Sequence, residues 1–269
     1  MSVINTNVNA LFAQNSLRVN DRKLSTAMEQ LSTGSRISSA KDDAAGIAIS
    51  STMTAQIRGL GQAVRNANDG VSLLQTAEGA MVEQTNMLQR MRELAVQSAT
   101  GSNNATQQGY LDKDFQALAL QIEDIAKQTQ WNGSNVLDAS NNAGKYTFTV
   151  GSSGAETIDV TISSMKGLIS GDILTAGTSK TAISDIDKAL DTVNSQRAVL
   201  GAGINRLTYV ADNLNNVIQN TTASRSQVLD TDYATATTQL ARAQIIQQAA
   251  TAMLAQANQS PQSVLALLK

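Results

Sequence analysis

Ser38 and Lys41 stand in an S-x-x-K arrangement, a spacing at which a lysine amine can take the proton from a serine nucleophile. The S-D-N and K-T-G segments that complete such a site in penicillin-binding enzymes are missing, so the stretch reads as a loop. Asp230 and Asp232 form a D-x-D that could touch a divalent cation, but no further carboxylate cluster or glycine-bearing calcium loop accompanies them, and the expected role is capping a helix start. Gly59/Gly61 and Gly201/Gly203 neither follow strands nor precede a phosphate-gripping lysine, and they read as packing or curvature points. The N-x-[ST] triplets at Asn104, Asn132 and Asn220 matter only in a glycosylating secretory pathway. The chain has 0 His and 0 Cys, which removes the usual general base, the thiol nucleophile and most zinc or transition-metal sites. No catalytic residue, metal or cofactor is expected.

The elements around these residues must therefore carry the function themselves. A chain of 269 residues is long enough for one or two domains with a real core. Aromatic residues make up 3%, and the 1 proline stands at position 261, which leaves the backbone continuous where long helices need it. The net charge is -2 and the cations are scattered, which argues against a nucleic-acid partner. The stretch MSVINTNVNALFAQNSLRVNDRK lacks the charged and apolar regions of a signal peptide, and no segment is apolar enough for membrane insertion.

Near the start, Val3, Ala10, Leu17, Leu24 and Leu31 recur every seven residues, a narrow apolar stripe on a helix. Near the end, Leu229, Tyr233, Ala236, Leu240, Ala243, Gln247, Ala250, Leu254 and Ala257 alternate steps of four and three. Neither stripe is wide enough to stabilise a lone helix, so each end needs a partner. Ser260 and Pro261 fit the opening of a short last helix whose apolar face would be Val264, Leu265 and Leu268.

Between the ends, Asp42 and Asp43 stand where a long helix starts, and its stripe runs Met53, Ile57, Leu60, Val64, Ala67, Val71, Leu74, Met81, Leu88 and Ala95 as far as TGSNN. A second helix carries Leu111, Phe115, Leu118, Ile122 and Ile125. A third carries Ile183, Ile186, Leu190, Val193, Leu200, Ile204, Leu207, Ala211, Leu214 and Ile218. Three helices with apolar seams make a bundle. Within residues 145–163 the period falls to two, in Tyr146, Phe148 and Val150 and then in Ile158, Val160 and Ile162, separated by GSSGAET as the turn, which predicts a β-hairpin lying against the bundle. The fold class is mainly α: a long antiparallel helical bundle with paired N- and C-terminal coiled-coil helices, a small β-hairpin region and no large variable outer domain.

LSTGSRISSAKDDAAGIAIS (31–50), NDGVSLLQTAEGAM (68–81), LQRMRELAVQSA (88–99), QTQWNGSNVL (128–137), LGAGINRL (200–207) and QANQSPQSVLALL (256–268) stand in an order and a wording that closely resemble bacterial flagellin. The resemblance implies a structural subunit that polymerises into the extracellular flagellar filament for swimming. It implies an inner coiled-coil domain from residues 1–39 with 225–269 and an outer helical rod from residues 40–224. Val3, Leu17, Leu24, Leu31, Leu240, Leu254, Val264, Leu265 and Leu268 would then serve polymerisation. By the same resemblance the chain is secreted unfolded by the flagellar type III export apparatus, is bound by a flagellin export chaperone at its C-terminal segment, and meets a filament cap protein and hook-filament junction proteins. Many flagellins are detected by Toll-like receptor 5, and the matching positions here are Arg90, Leu94 and Asp114, where stimulatory members tend to have Glu at the last. A hook-filament junction protein and a secreted coiled-coil adhesin or translocator remain the alternatives, the first disfavoured by the unbroken likeness through LQRMREL and QTQWNG.

Overall fold

A computed structural model describes residues 6–140 and 142–266, the last seven of these and residue 142 by their backbone alone. It contains helices α1 (Val8–Thr33), α2 (Ala44–Ser98) and α3 (Ala105–Gln128), the strand pairs β1 (Gln130–Trp131) with β2 (Ser134–Asn135) and β3 (Lys145–Thr149) with β4 (Thr157–Thr161), and helices α4 (Ala176–Leu229) and α5 (Tyr233–Ala266). The fold is mainly α. Of the expected polymerisation residues, Val3 and Leu268 lie outside the described residues, and the side chains of Val264 and Leu265 are outside them too.

The chain divides into two compact units, Met1–Ala55 with Asn220–Lys269, and Gln56–Gln219. The sequence places its junctions at residues 39/40 and 224/225, near the loop that ends α1; the units part further along, inside α2 and α4.

In the first unit α1 packs on α5. Asn7 starts α1 by accepting the Ala10 amide hydrogen, and Gly34 ends it at φ 70, donating back to the Gln30 carbonyl. The expected short last helix opening at Ser260 is not formed: α5 continues through Pro261 to Ala266 as one element. A proline inside a helix leaves the carbonyl four residues earlier without its N–H donor. That carbonyl belongs to Ala257, and the Asn7 side chain donates to it at 2.7 Å.

The second unit holds one large core. Leu74, Met81, Leu88 and Met91 of α2, Phe115 of α3 and Ile186, Leu200 and Leu207 of α4 have no exposed surface. Every position on the α2, α3 and α4 stripes read from periodicity is buried or half-buried within its own unit. β3 and β4 form the expected hairpin, and the structure sets its register, Tyr146 opposite Val160 and Phe148 opposite Ile158. Gly70 and Gly203 are the packing points: a Cβ on Gly70 would stand 2.8 Å from the Phe148 ring, and one on Gly203 would stand 3.0 Å from Val160. Only a helix surface without side chains there lets the hairpin sit flat on α2 and α4.

The segment between β4 and α4 carries no regular period, yet it buries Met165 and Ile173 completely. Polar contacts fix it: Ser98 donates to the Ile173 carbonyl at 2.5 Å, and the Ile173 amide donates to Asp112 at 2.9 Å. Asp138 closes the turn after β2, where the hydroxyl and amide of Ser140 hold its carboxyl down at about 2, helped by Asn135 and Lys166.

Two outcomes follow from this packing. Phe115→Ala should cost about 3–5 kcal/mol in urea unfolding followed by circular dichroism, because the ring is wholly enclosed. For Asp138 the folded pKa lies below the unfolded value of about 3.9, so its contribution is present at neutral pH and is lost as pH falls through about 2. Asp138→Asn should therefore flatten the loss of stability between about pH 4 and pH 2, and an unchanged acid limb of the stability curve would contradict that role.

Candidate functional site

The stripes of α1 and α5 meet as an antiparallel pair. Ala27, Ala236 and Ala243 are 2%, 3% and 5% exposed, while Leu17, Leu24, Leu31, Leu240 and Leu254 are only half-buried. The seam is thus made of alanine at its tightest points, which lets the backbones approach. Polar side chains reach across the seam: the amides of Asn20 and Gln247 donate to the Ala243 carbonyl at 2.8 Å and to Asp21 at 3.2 Å, and the Tyr233 hydroxyl donates to the Leu31 carbonyl at 3.4 Å.

The pair does not bury its apolar residues on its own. Phe12 is 69% exposed, Ile245 66% and Met253 65%, and Leu11 and Met28 are exposed as well. Phe12, Ala13, Ile246, Ala250, Met253 and Ala257 line an open groove of about 770 Å³ along the pair. Isolated exposed apolar residues are ordinary on a protein surface, but a continuous row along two helices is the mark of a contact surface. Sequence reading missed this second row. Its signal was available: Phe12 and Val19 stand seven residues apart, as do Ile246 and Met253, a heptad repeat parallel to the main stripe.

The joints at the far end of the pair are braced against each other. Ser35 and Asp230 form a single antiparallel bridge, the Arg36 amide donates to Leu229 at 2.7 Å, and the Thr231 amide donates to Gly34 at 2.9 Å. The candidate nucleophile Ser38 faces two carboxylates, Glu29 at 2.6 Å and Asp42 at 3.2 Å. Its hydroxyl is committed to closing the loop. Donors from Ser39 and Ser38 hold the Asp42 carboxyl below the usual carboxylate range. Asp43 caps α2 by accepting the Gly46 amide hydrogen at 2.9 Å, and Asp232 caps α5 by accepting that of Ala234 at 2.9 Å. Asp230 instead takes the Ser226 hydroxyl at 2.6 Å. Among the described residues no three His, Cys, Asp or Glu side chains gather to hold a metal, and no helix is long and apolar enough to cross a membrane.

Arg90, Leu94 and Asp114, the positions that the resemblance matches to a receptor contact, lie in the second unit and differ in access. Arg90 is exposed on α2 and paired with Glu93 one turn on at 2.5 Å. Asp114 is exposed on α3. Leu94 is 3% exposed and belongs to the core, so it offers no free surface to a receptor.

Comparison with known proteins matches the family description "Bacterial flagellin N-terminal helical region" to residues 4–142 and "Bacterial flagellin C-terminal helical region" to residues 183–268. The chain is 43% identical to a flagellin of Halalkalibacterium halodurans, over 99% of this chain and 100% of that one. It is 35% identical to flagellin A of Vibrio cholerae, over 99% of each. Among solved structures, the crystal structure of Bacillus cereus flagellin superposes with a TM-score of 0.52 at 32% identity, covering 56% of this chain and 88% of that one. The chain belongs to the bacterial flagellin family and is a structural filament subunit, not an enzyme.

Proposed function

We propose that the chain polymerises through its terminal helix pair, which forms the inner wall of a tubular filament, with residues 1–39 and 225–269 as the inner domain and residues 40–224 as the outer rod. The observation that carries this reading is the exposed apolar row of Phe12, Ile245, Ile246 and Met253 beside a seam whose leucines stay half-open. Such a pair is incomplete by itself and is completed by the same pair of a neighbouring subunit. Val3, Val264, Leu265 and Leu268 extend that role to the extreme ends.

The reading extends to the route of assembly. The chain leaves the cell unfolded through the type III export apparatus, escorted by an export chaperone on its C-terminal segment, and folds at the filament tip between junction proteins below and a cap protein above. A chain with 0 Cys and 1 Pro suits this route, because it has no disulfide to form and one X-Pro bond to isomerise. The terminal helices stay unordered until neighbours cover them.

Deleting residues 1–20 or 250–269 should leave a soluble chain whose second unit keeps its helical circular dichroism but which forms no filaments under electron microscopy. Filaments of normal appearance from either truncation would overturn the proposal.

Recognition by Toll-like receptor 5 is a second reading, supported by the exposure of Arg90 and Asp114 on helices that share one core. Leu94 is buried and drops out of the contact surface, which leaves Arg90 and Asp114. Arg90→Ala should weaken receptor signalling by monomer roughly tenfold, the equivalent of about 1.4 kcal/mol, while Asp114→Glu strengthens it by restoring reach. A reporter-cell assay that ranks both variants with the parent chain would remove the receptor role from this face.

A further inference from the structure

A seam built from alanine and leucine at heptad spacing has a weakness: sliding one helix by seven residues presents nearly the same surface again. On α5, Ala236, Ala243 and Ala250 follow one another at that spacing, so the apolar contacts discriminate poorly between registers. The Asn20 amide, though buried at 4% exposure, shares the ambiguity, because a slip of one heptad trades the Ala243 carbonyl for that of Ala236 or Ala250. Each of those carbonyls belongs to an alanine, whose side chain is a single methyl group.

Asn7 meets a different kind of acceptor. In an α-helix the carbonyl of residue 257 takes its hydrogen from the amide of residue 261. Residue 261 is proline, the only one in the chain, and its nitrogen carries no hydrogen. The Ala257 carbonyl is therefore the single one on α5 that proline deprives of its helical donor, and Asn7 Nδ2 reaches it at 2.7 Å. The same carboxamide uses its oxygen to accept the Ala10 amide hydrogen and start α1. One side chain thus caps the beginning of α1 and satisfies the defect in α5.

We infer that Asn7 is the positioning residue that selects the register of the terminal helix pair, by recognising the carbonyl that Pro261 leaves open. Asn20 fixes which faces meet, and Asn7 with Pro261 fixes which heptad meets which. A slip would cap α1 equally well but would set the Asn7 amide against a carbonyl already bonded within α5, and it would leave the Ala257 carbonyl unpaired. The inference rests on the helix pairing itself and concerns the filament only as the setting in which the pair is ordered.

Because the chain has 0 Cys, engineered cysteines report the register cleanly. In polymerised full-length chain, oxidation of an Ala27→Cys/Ala236→Cys pair traps the register described, and an Ala27→Cys/Ala243→Cys pair traps a slip of one heptad. Only disulfides within one chain are scored, as a shifted monomer band; bonds between subunits run as a ladder. Asn7→Ala should move the ratio of the two yields toward the slipped register by about fivefold, the size of one hydrogen bond of about 1 kcal/mol. In a Pro261→Ala background, where residue 261 regains its N–H, the same Asn7→Ala change should alter the ratio by less than about twofold. An equal shift in both backgrounds, or none in either, overturns the inference. Should Asn7→Ala abolish polymerisation, recovery of filaments on adding Pro261→Ala supports it and failure to recover counts against it. A cysteine-pair parent that never polymerises is a failure of the filament reading alone; the ratio is then read on chain held in a sulfate-rich buffer, which strengthens apolar burial and orders the helix pair, with the same outcomes deciding.

Discussion

The architecture of the first unit depends on how little the α1–α5 seam can bury. Its most buried residues are alanines, Ala27, Ala236 and Ala243, whose methyl groups each remove a small area from water, worth at most about 1 kcal/mol apiece. Ordering each residue of the backbone costs about 1–2 kcal/mol before any contact is made. A pair of helices joined by alanine and half-open leucine cannot recover that cost within one chain. The unpaired row of Phe12, Ile246 and Met253 is the complement of this deficit, since it holds the apolar area that a neighbouring copy would cover. Stability of the ends and association of subunits are therefore the same free energy.

The second unit solves the opposite problem. Its core is filled by large side chains with no exposed surface, among them Phe115, Leu88, Met91 and Leu200, and the hairpin and the irregular segment before α4 close it on the remaining sides. Gly70 and Gly203 exist for that closure, because the Phe148 ring and the Val160 side chain occupy the space their side chains would take. A unit of this kind holds its shape alone. The contrast between a self-sufficient core and an unfinished pair appears in which residues are used: leucine, methionine and phenylalanine in one, alanine and asparagine in the other.

Periodicity carried most of this. The seven-residue and four/three spacings located α1 to α5, and the alternation from Tyr146 to Ile162 located the β3–β4 hairpin, because one face of each element has to be apolar to be buried at all. The segment holding Met165 and Ile173 was invisible to that approach, since its burial depends on hydroxyl and carboxylate contacts from Ser98 and Asp112, which come from distant helices and leave no period. Pro261 misled for a related reason. Local chemistry makes proline a helix opener, and the contact that lets the helix run on comes from Asn7, 250 residues away in sequence. Asp230 and Asp232 look alike in sequence and part in structure, one taking a serine hydroxyl at a helix end and the other capping a helix start.

Residues that could do chemistry are present but spent. Ser38 donates to the carboxylates of Glu29 and Asp42, Asp42 is drawn into the loop by two serines, and Asp43 and Asp232 satisfy the first amides of the helices they precede. Each of these groups stabilises a joint, and the joints are what bring the two ends of the chain together at the Ser35–Asp230 bridge. From that bridge the helices run back side by side, so an error in pairing at the joint would be carried along the whole seam. The polar residues therefore serve specificity, deciding where the ends meet, and the apolar residues supply the attraction that makes them stay. Separating those two tasks allows a seam of weak, repetitive contacts to settle on one arrangement, which a helical polymer needs because every copy must present the same surface to the next.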